Sequence, residues 1–117
     1  MKTLLIGINA KYIHTNLAIR LLKVNTTYPV DIYEATIKDD VEDLVRMITT
    51  ADYDIVGFSC YIWNIAMIEE ILKLLKKQDH QKKILLGGPE VSYNSLHYIQ
   101  NFNVDYIIKG EGEVAFH

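Results

Sequence analysis

Short apolar runs alternate along this chain with stretches whose apolar residues recur every three or four positions. Runs suited to strands fall at Thr3 to Ile8, Val30 to Ala35, Ile55 to Ser59, Lys83 to Leu86 and Tyr106 to Ile108. Most are apolar on both faces, as strands must be in a parallel sheet covered by helices on either side. Between them, Leu17, Leu21 and Val24 keep helical spacing, as do Val41, Leu44, Val45 and Ile48, and then Ile65, Ile68, Leu72 and Leu75. Asp39 or Asp40 ahead of Val41, with Glu42 in reach of a capping box, marks one helix start, and Asn64 marks that of the longest helix. A fourth helix is expected near Tyr93 to Asn101. Glu69 and Lys73, four apart, read as a solvated helix face.

Five strands alternating with four helices predict an α/β domain. Right-handed crossovers then give a doubly wound, flavodoxin-like or Rossmann-like parallel five-stranded sheet of order 2-1-3-4-5, with helices on both faces. Such sheets bind ligands beyond the carboxyl ends of their strands, at the switch point between the first and third. The loops there run from Asn9 to Asn16 and from Ser59 to Asn64, and the loops Gly87 to Tyr93 and Lys109 to Glu113 continue the same rim. Gly87-Gly88-Pro89-Glu90 and Gly110-Glu111-Gly112-Glu113 each begin where a strand ends. Glycines there let the backbone turn sharply or let a ligand approach closely. With Asn9, Tyr12, Ser59, Tyr61, Trp63 and Asn64 the rim is polar and aromatic, suited to a large, flat, partly polar ligand.

Composition narrows the classes. The 117 residues are expected to form one domain spanning 1–117, half hydrophobic and large enough to fold alone. Twelve basic against 15 acidic side chains, with no basic run beyond pairs such as Lys76-Lys77, argue against a nucleic-acid partner. The run Leu4 to Ile8 lacks the length of a signal peptide, and no later run approaches a membrane span, so a cytoplasmic protein without a membrane partner is expected. The single cysteine, Cys60, excludes an internal disulfide, a four-cysteine zinc site and a cysteine-ligated iron–sulfur cluster built from this chain alone.

The residues also weigh against two rivals. An FMN or nucleotide binder would want a Gly-rich or Ser/Thr-rich phosphate cradle after strand 1, where Gly7 stands alone before Asn9-Ala10-Lys11. A receiver module would want an acidic pair after strand 1 and an Asp ending strand 3, where this chain has Asn9-Ala10 and Ser59-Cys60. A structural domain that docks a neighbouring domain without cofactor stays open.

Gly57-Phe58-Ser59 closing strand 3, Gly87-Gly88-Pro89-Glu90 after strand 4 and Gly110-Glu111-Gly112-Glu113 after strand 5 carry a resemblance. Together with Asn9-Ala10-Lys11-Tyr12-Ile13-His14 and Phe58-Ser59-Cys60-Tyr61-Ile62-Trp63-Asn64, they resemble the N-terminal cobalamin-binding domain of B12-binding-domain-containing radical SAM proteins, over essentially the whole chain. The resemblance implies a corrinoid-binding module that serves methyl transfer or radical chemistry. It implies a following radical SAM domain, missing from this sequence, that binds a 4Fe-4S cluster and S-adenosylmethionine, so that this chain is an N-terminal piece without activity of its own. The implied cofactor-binding residues are Asn9, Ala10 and Tyr12, then Ser59, Cys60, Tyr61, Trp63 and Asn64, then Gly87, Gly88, Pro89 and Glu90, and last Gly110, Glu111, Gly112 and Glu113. No catalytic residue and no metal ligand is assigned. Many B12 carriers place an Asp-x-His-x-x-Gly motif after strand 1, and this chain has none. The implied state is therefore base-off without a histidine ligand, the nucleotide tail buried beside the sheet.

Several of these residues have plainer readings. His14 does not match the motif spacing and reads as a surface or helix-start residue. Cys60 reads as a small buried hydrophobe. Trp63 and Tyr61 would either cover a corrin face or seal the top of the sheet or the interface with the missing domain. Glu90, Glu111 and Glu113 read as carboxylates complementing helix starts. His80 and His97 lie away from the rim.

Overall fold

A computed structural model of the chain describes residues 2–9, 30–78, 82–92, 95–109 and 113–116. Strands β1 (Thr3–Asn9), β2 (Val30–Thr36), β3 (Ile55–Ser59), β4 (Lys83–Gly87) and β5 (Tyr106–Lys109) pair in parallel in the order 2-1-3-4-5, as the alternation predicts. Helices α1 (Val41–Thr50) and α2 (Ile65–Lys76) link β2 to β3 and β3 to β4. Both links step across the sheet in the same direction, so right-handed crossovers put both helices on one face. The stripe Leu17, Leu21 and Val24 assigned to a further helix lies outside the described residues.

To the five parallel strands the structure adds a sixth at the edge, β6 (Glu113–Phe116), antiparallel to β5, which corrects the expectation of a helix start at Glu113. Three residues separate it from Lys109, a hairpin's span, and Val114 and Phe116 favour an extended backbone. A short helical turn, α3 (Pro89–Ser92), precedes α4 (Ser95–Asn101), which is the fourth helix expected near Tyr93 to Asn101.

Alternation along each strand sorts the sheet into two faces. Leu4, Ile6 and Ile8 of β1, Val56 and Phe58 of β3, Ile84 and Leu86 of β4 and Ile107 of β5 meet Leu44, Val45, Ile48, Ile68, Ile71, Leu72 and Leu75 in one core cluster. Asp40 caps α1, its Oδ1 accepting from the Glu42 amide at 2.8 Å, so Glu42 supplies a backbone donor rather than the reciprocal side chain of a capping box. Lys73 is exposed as the solvated-face reading expects, but Glu69 is only partly so. Its Oε2 accepts from the buried Tyr98 hydroxyl at 2.9 Å, joining α2 to α4. Burial, then that bond and the carboxylate's charge, push the Tyr98 hydroxyl upward in pKa.

The amino-terminal edge of the sheet is stitched by polar contacts. Lys82 Nζ donates to the carbonyls of Ala51 and Tyr53 at 2.6 and 2.9 Å, and Asp105 Oδ2 accepts from the Ile84 amide at 2.8 Å. Among the described residues no helix is long and apolar enough to cross a membrane.

Because Ile68 is fully buried in the core cluster, Ile68→Ala should cost about 2–5 kcal/mol in urea unfolding. Leu96→Ala, on the exposed side of α4, should stay within about 0.5 kcal/mol in the same measurement.

Candidate functional site

At the carboxyl edge the loop after β3 is bound on both sides. Toward β1, Asn64 spends its whole side-chain amide on backbone: Nδ2 donates to the carbonyls of Ile8 and Ser59 at 2.9 and 3.0 Å, and Oδ1 accepts from the Tyr61 amide at 2.8 Å. Asn64 is 0% exposed, and although it occupies the N-cap position of α2 its side chain makes no capping bond. It shapes the loop and presents no polar group to the surface. Trp63 Nε1 donates to the same Ile8 oxygen at 3.3 Å. The Tyr61 and Trp63 rings stack with centroids 4.5 Å apart and planes 2° from parallel. Trp63 remains 48% exposed and its neighbour Ile62 77% exposed.

Toward β4, the Cys60 amide donates to the Gly87 carbonyl at 2.7 Å and the Cys60 carbonyl accepts from the Glu90 amide at 3.3 Å. Gly88 sits between them at φ +101°. A Cβ there would stand 2.4 Å from the Cys60 carbonyl oxygen, so the glycine is required by the neighbouring loop, before any ligand is considered. Cys60 itself is fully buried, and burial pushes its thiol far above the ordinary value of 9.0. It packs as a small hydrophobe.

On the face opposite α1 and α2, register aligns Gly7 of β1, Ser59 of β3 and Gly87 of β4 in one row across three adjacent strands. Only the serine in this row carries a side chain, so the row is a shallow trough. Among the described residues Ser59 Oγ, buried, has no hydrogen-bond partner. Among the described residues, a Cβ added at Gly87 would meet nothing nearer than Ile108 Cβ at 3.7 Å. A buried hydroxyl without a partner is costly, and this one lies beside two glycines in a row whose three residues are all buried.

Of the residues expected at the rim, the structure brings together Asn9 at the end of β1, Ser59, Cys60, Tyr61, Trp63 and Asn64 after β3, and Gly87, Gly88, Pro89 and Glu90 after β4. Ala10, Tyr12, His14, Gly110, Glu111 and Gly112 lie outside the described residues. Glu113 opens β6 and so does not sit at a helix start; Glu90 does lie in the first turn of α3. His97 lies on the exposed side of α4, edge-on to Tyr98 and Phe102. Gly7 was missing from the expected site. Strand parity was the signal that pointed to it, since Gly7, Ser59 and Gly87 share one face once the register is known. Among the described residues no cluster of His, Cys, Asp and Glu is placed to hold a metal ion.

The sequence model of the B12 binding domain matches residues 3–117. The chain belongs to the B12-binding domain family. This B12-binding domain is 32% identical over 79 residues to a 2-(S-pantetheinyl)-carbapenam-3-carboxylate methyltransferase of Streptantibioticus cattleyicolor, covering 67% of the chain and 11% of that protein. It is 34% identical over 64 residues to the cobalamin-dependent radical SAM methyltransferase TokK of Streptomyces tokunonensis, covering 54% of the chain and 9% of TokK. It thus spans about a tenth of the length of these relatives. A crystal structure of a cobalamin-binding protein from Desulfitobacterium hafniense shares its fold, with TM-score 0.59 and 18% identity over 85% of this chain and 49% of that one.

Two outcomes follow from the interlocked loops. Gly88→Ala should lower unfolding stability by at least about 1–3 kcal/mol, whereas Gly87→Ala should change it by less than about 1 kcal/mol, both read from urea midpoints. Cys60 in the native B12-binding domain should resist iodoacetamide at pH 8 and become labelled only at the rate at which urea unfolds the chain.

Proposed function

We propose that this domain binds cobalamin with its lower base displaced, the nucleotide tail lying in the Gly7–Ser59–Gly87 trough and the corrin ring over the rim. The observation that carries the reading is the buried Ser59 hydroxyl, without a partner among the described residues, in a row otherwise free of side chains. The donor set fits the group. A hydroxyl is both donor and acceptor and meets either a ring nitrogen or a ribose oxygen, while the glycines leave room for a flat base against the sheet. Family membership supports the same ligand.

The chain's own part is to bind and orient. Tyr61 and Trp63 offer apolar ring surface at the rim, the backbone of Gly87 to Glu90 borders the entrance, and Asn64 keeps the loop between them in place. Bound cobalamin would supply a cobalt centre able to carry a methyl group. In this reading a radical SAM domain of the same protein, holding a 4Fe-4S cluster and S-adenosylmethionine, supplies the rest of a methyl transfer. Both methyltransferase relatives support methyl transfer, and TokK, a radical SAM methyltransferase, supports the radical SAM part.

Mixing the domain with hydroxocobalamin, desalting and recording the visible spectrum tests the proposal. Retained corrin absorbance is expected, with cobinamide, which lacks the tail, held more weakly. Ser59→Ala should leave the free fold as stable or slightly more stable, because it removes a buried hydroxyl that has no partner among the described residues. The same change should weaken cobalamin by about 2- to 13-fold, one hydrogen bond's worth, and narrow the gap to cobinamide. No retention at high micromolar protein, or equal affinity for the two corrinoids, would replace this reading with that of a domain that only docks its neighbour.

A further inference from the structure

We propose that Asn64 is a positioning residue: it fixes the Tyr61–Trp63 stack as a preset aromatic plate at the carboxyl edge of β3, on which a planar macrocycle rests. The ligand in this inference rests on the cobalamin reading. The plate does not.

An Asn in the N-cap position ordinarily turns its oxygen to the first free amides of its helix. Here the side chain leaves α2 uncapped and reaches three separate backbone groups, the Ile8 and Ser59 carbonyls and the Tyr61 amide. Those bonds span the last turn of the loop and the end of the neighbouring strand. The Ile8 oxygen also accepts from Trp63 Nε1, so one carbonyl takes a donor from each of two consecutive side chains, as its two lone pairs allow. Tyr61 is held at its amide by Asn64, Trp63 is held at its indole by Ile8, and the two rings lie 2° from parallel. Neither the loop nor the indole is left to be ordered on binding. Trp63 is nonetheless half-exposed, as is expected of a surface kept for a flat partner rather than for the core.

Preset aromatics spare a ligand the cost of immobilising them, so loosening two such side chains should weaken binding on the order of tenfold to a hundredfold. Asn64→Asp tests this. It keeps the acceptor for the Tyr61 amide but replaces the donor with an oxygen facing the Ile8 and Ser59 carbonyls. The near-ultraviolet circular dichroism of the Tyr61–Trp63 pair reports the plate in the free protein. Visible titration with hydroxocobalamin reports the ligand, and Ile48→Val, in the core between α1 and the sheet, controls for loss of stability alone. Asn64→Asp should lose the near-ultraviolet signal, keep its far-ultraviolet spectrum and bind tenfold or more weakly, while Ile48→Val keeps both signal and affinity. A retained signal in Asn64→Asp, or an equal loss of affinity in Ile48→Val, would overturn the proposal. Should Asn64→Asp not fold, Trp63→Phe decides, because it keeps a ring but loses the bond to Ile8: weakened retention upholds the plate and unchanged retention overturns it. If the wild-type chain retains no corrinoid while Asn64→Asp still loses the near-ultraviolet signal, the cobalamin reading fails and the positioning stands.

Discussion

The carbonyl oxygen of Ile8 is the point on which the carboxyl edge of the sheet depends. It is the last core residue of β1 and accepts from both Asn64 and Trp63 on the loop after β3. That loop is in turn tied to β4 through the Cys60 amide and Gly87 carbonyl. Three strand ends are thereby joined by backbone polar groups that have no partner inside the sheet ladder. Parallel strands always leave such groups at their ends, and here a single buried asparagine takes two of them, the Ile8 and Ser59 carbonyls.

The two faces of the sheet divide the work. Leu, Ile, Val and Phe side chains on one face meet α1 and α2 in a continuous cluster, which supplies the apolar burial that holds the domain together. At the carboxyl end of the other face, Gly7, Ser59 and Gly87 give up side-chain packing, and Ser59 carries a buried hydroxyl without a partner among the described residues. A sequence chosen for stability alone would put branched aliphatic residues there. Under the cobalamin reading, the missing side chains are those of a surface kept for a ligand rather than for the protein itself.

Hydrophobic period made the parallel order legible, because strands buried on both sides and helices buried on one stripe leave different patterns. It failed at β6, where four residues carry too little period to separate a strand from a helix start. The loop glycines pointed to the right edge, yet the reason for Gly88 was not in its own motif. It lies in the backbone of Cys60, twenty-eight positions earlier and adjacent only once β3 and β4 pair. Asn64 was recognised as a helix start from local rules, and its place is right, but its hydrogen bonds go to a strand that lies 56 positions away in sequence. Glu69 was assigned to solvent for want of Tyr98, which local spacing on α2 cannot reveal. What stayed hidden in each case was a contact between distant segments.

One row below the trough the sheet changes character. Gly57 is also without a side chain, but Leu5 and Leu85 on the flanking strands lean over it, so a Cβ there would stand 2.7 Å from Leu5 Cδ2. The depression therefore has a closed inner end. Residues on one face of a strand repeat every two positions, about 7 Å, and a group entering from the rim can advance by no more than roughly one such step before it meets the two leucines. If the nucleotide tail of cobalamin lies there as proposed, the two leucines would act as a depth gauge, admitting something one planar ring long and stopping anything longer.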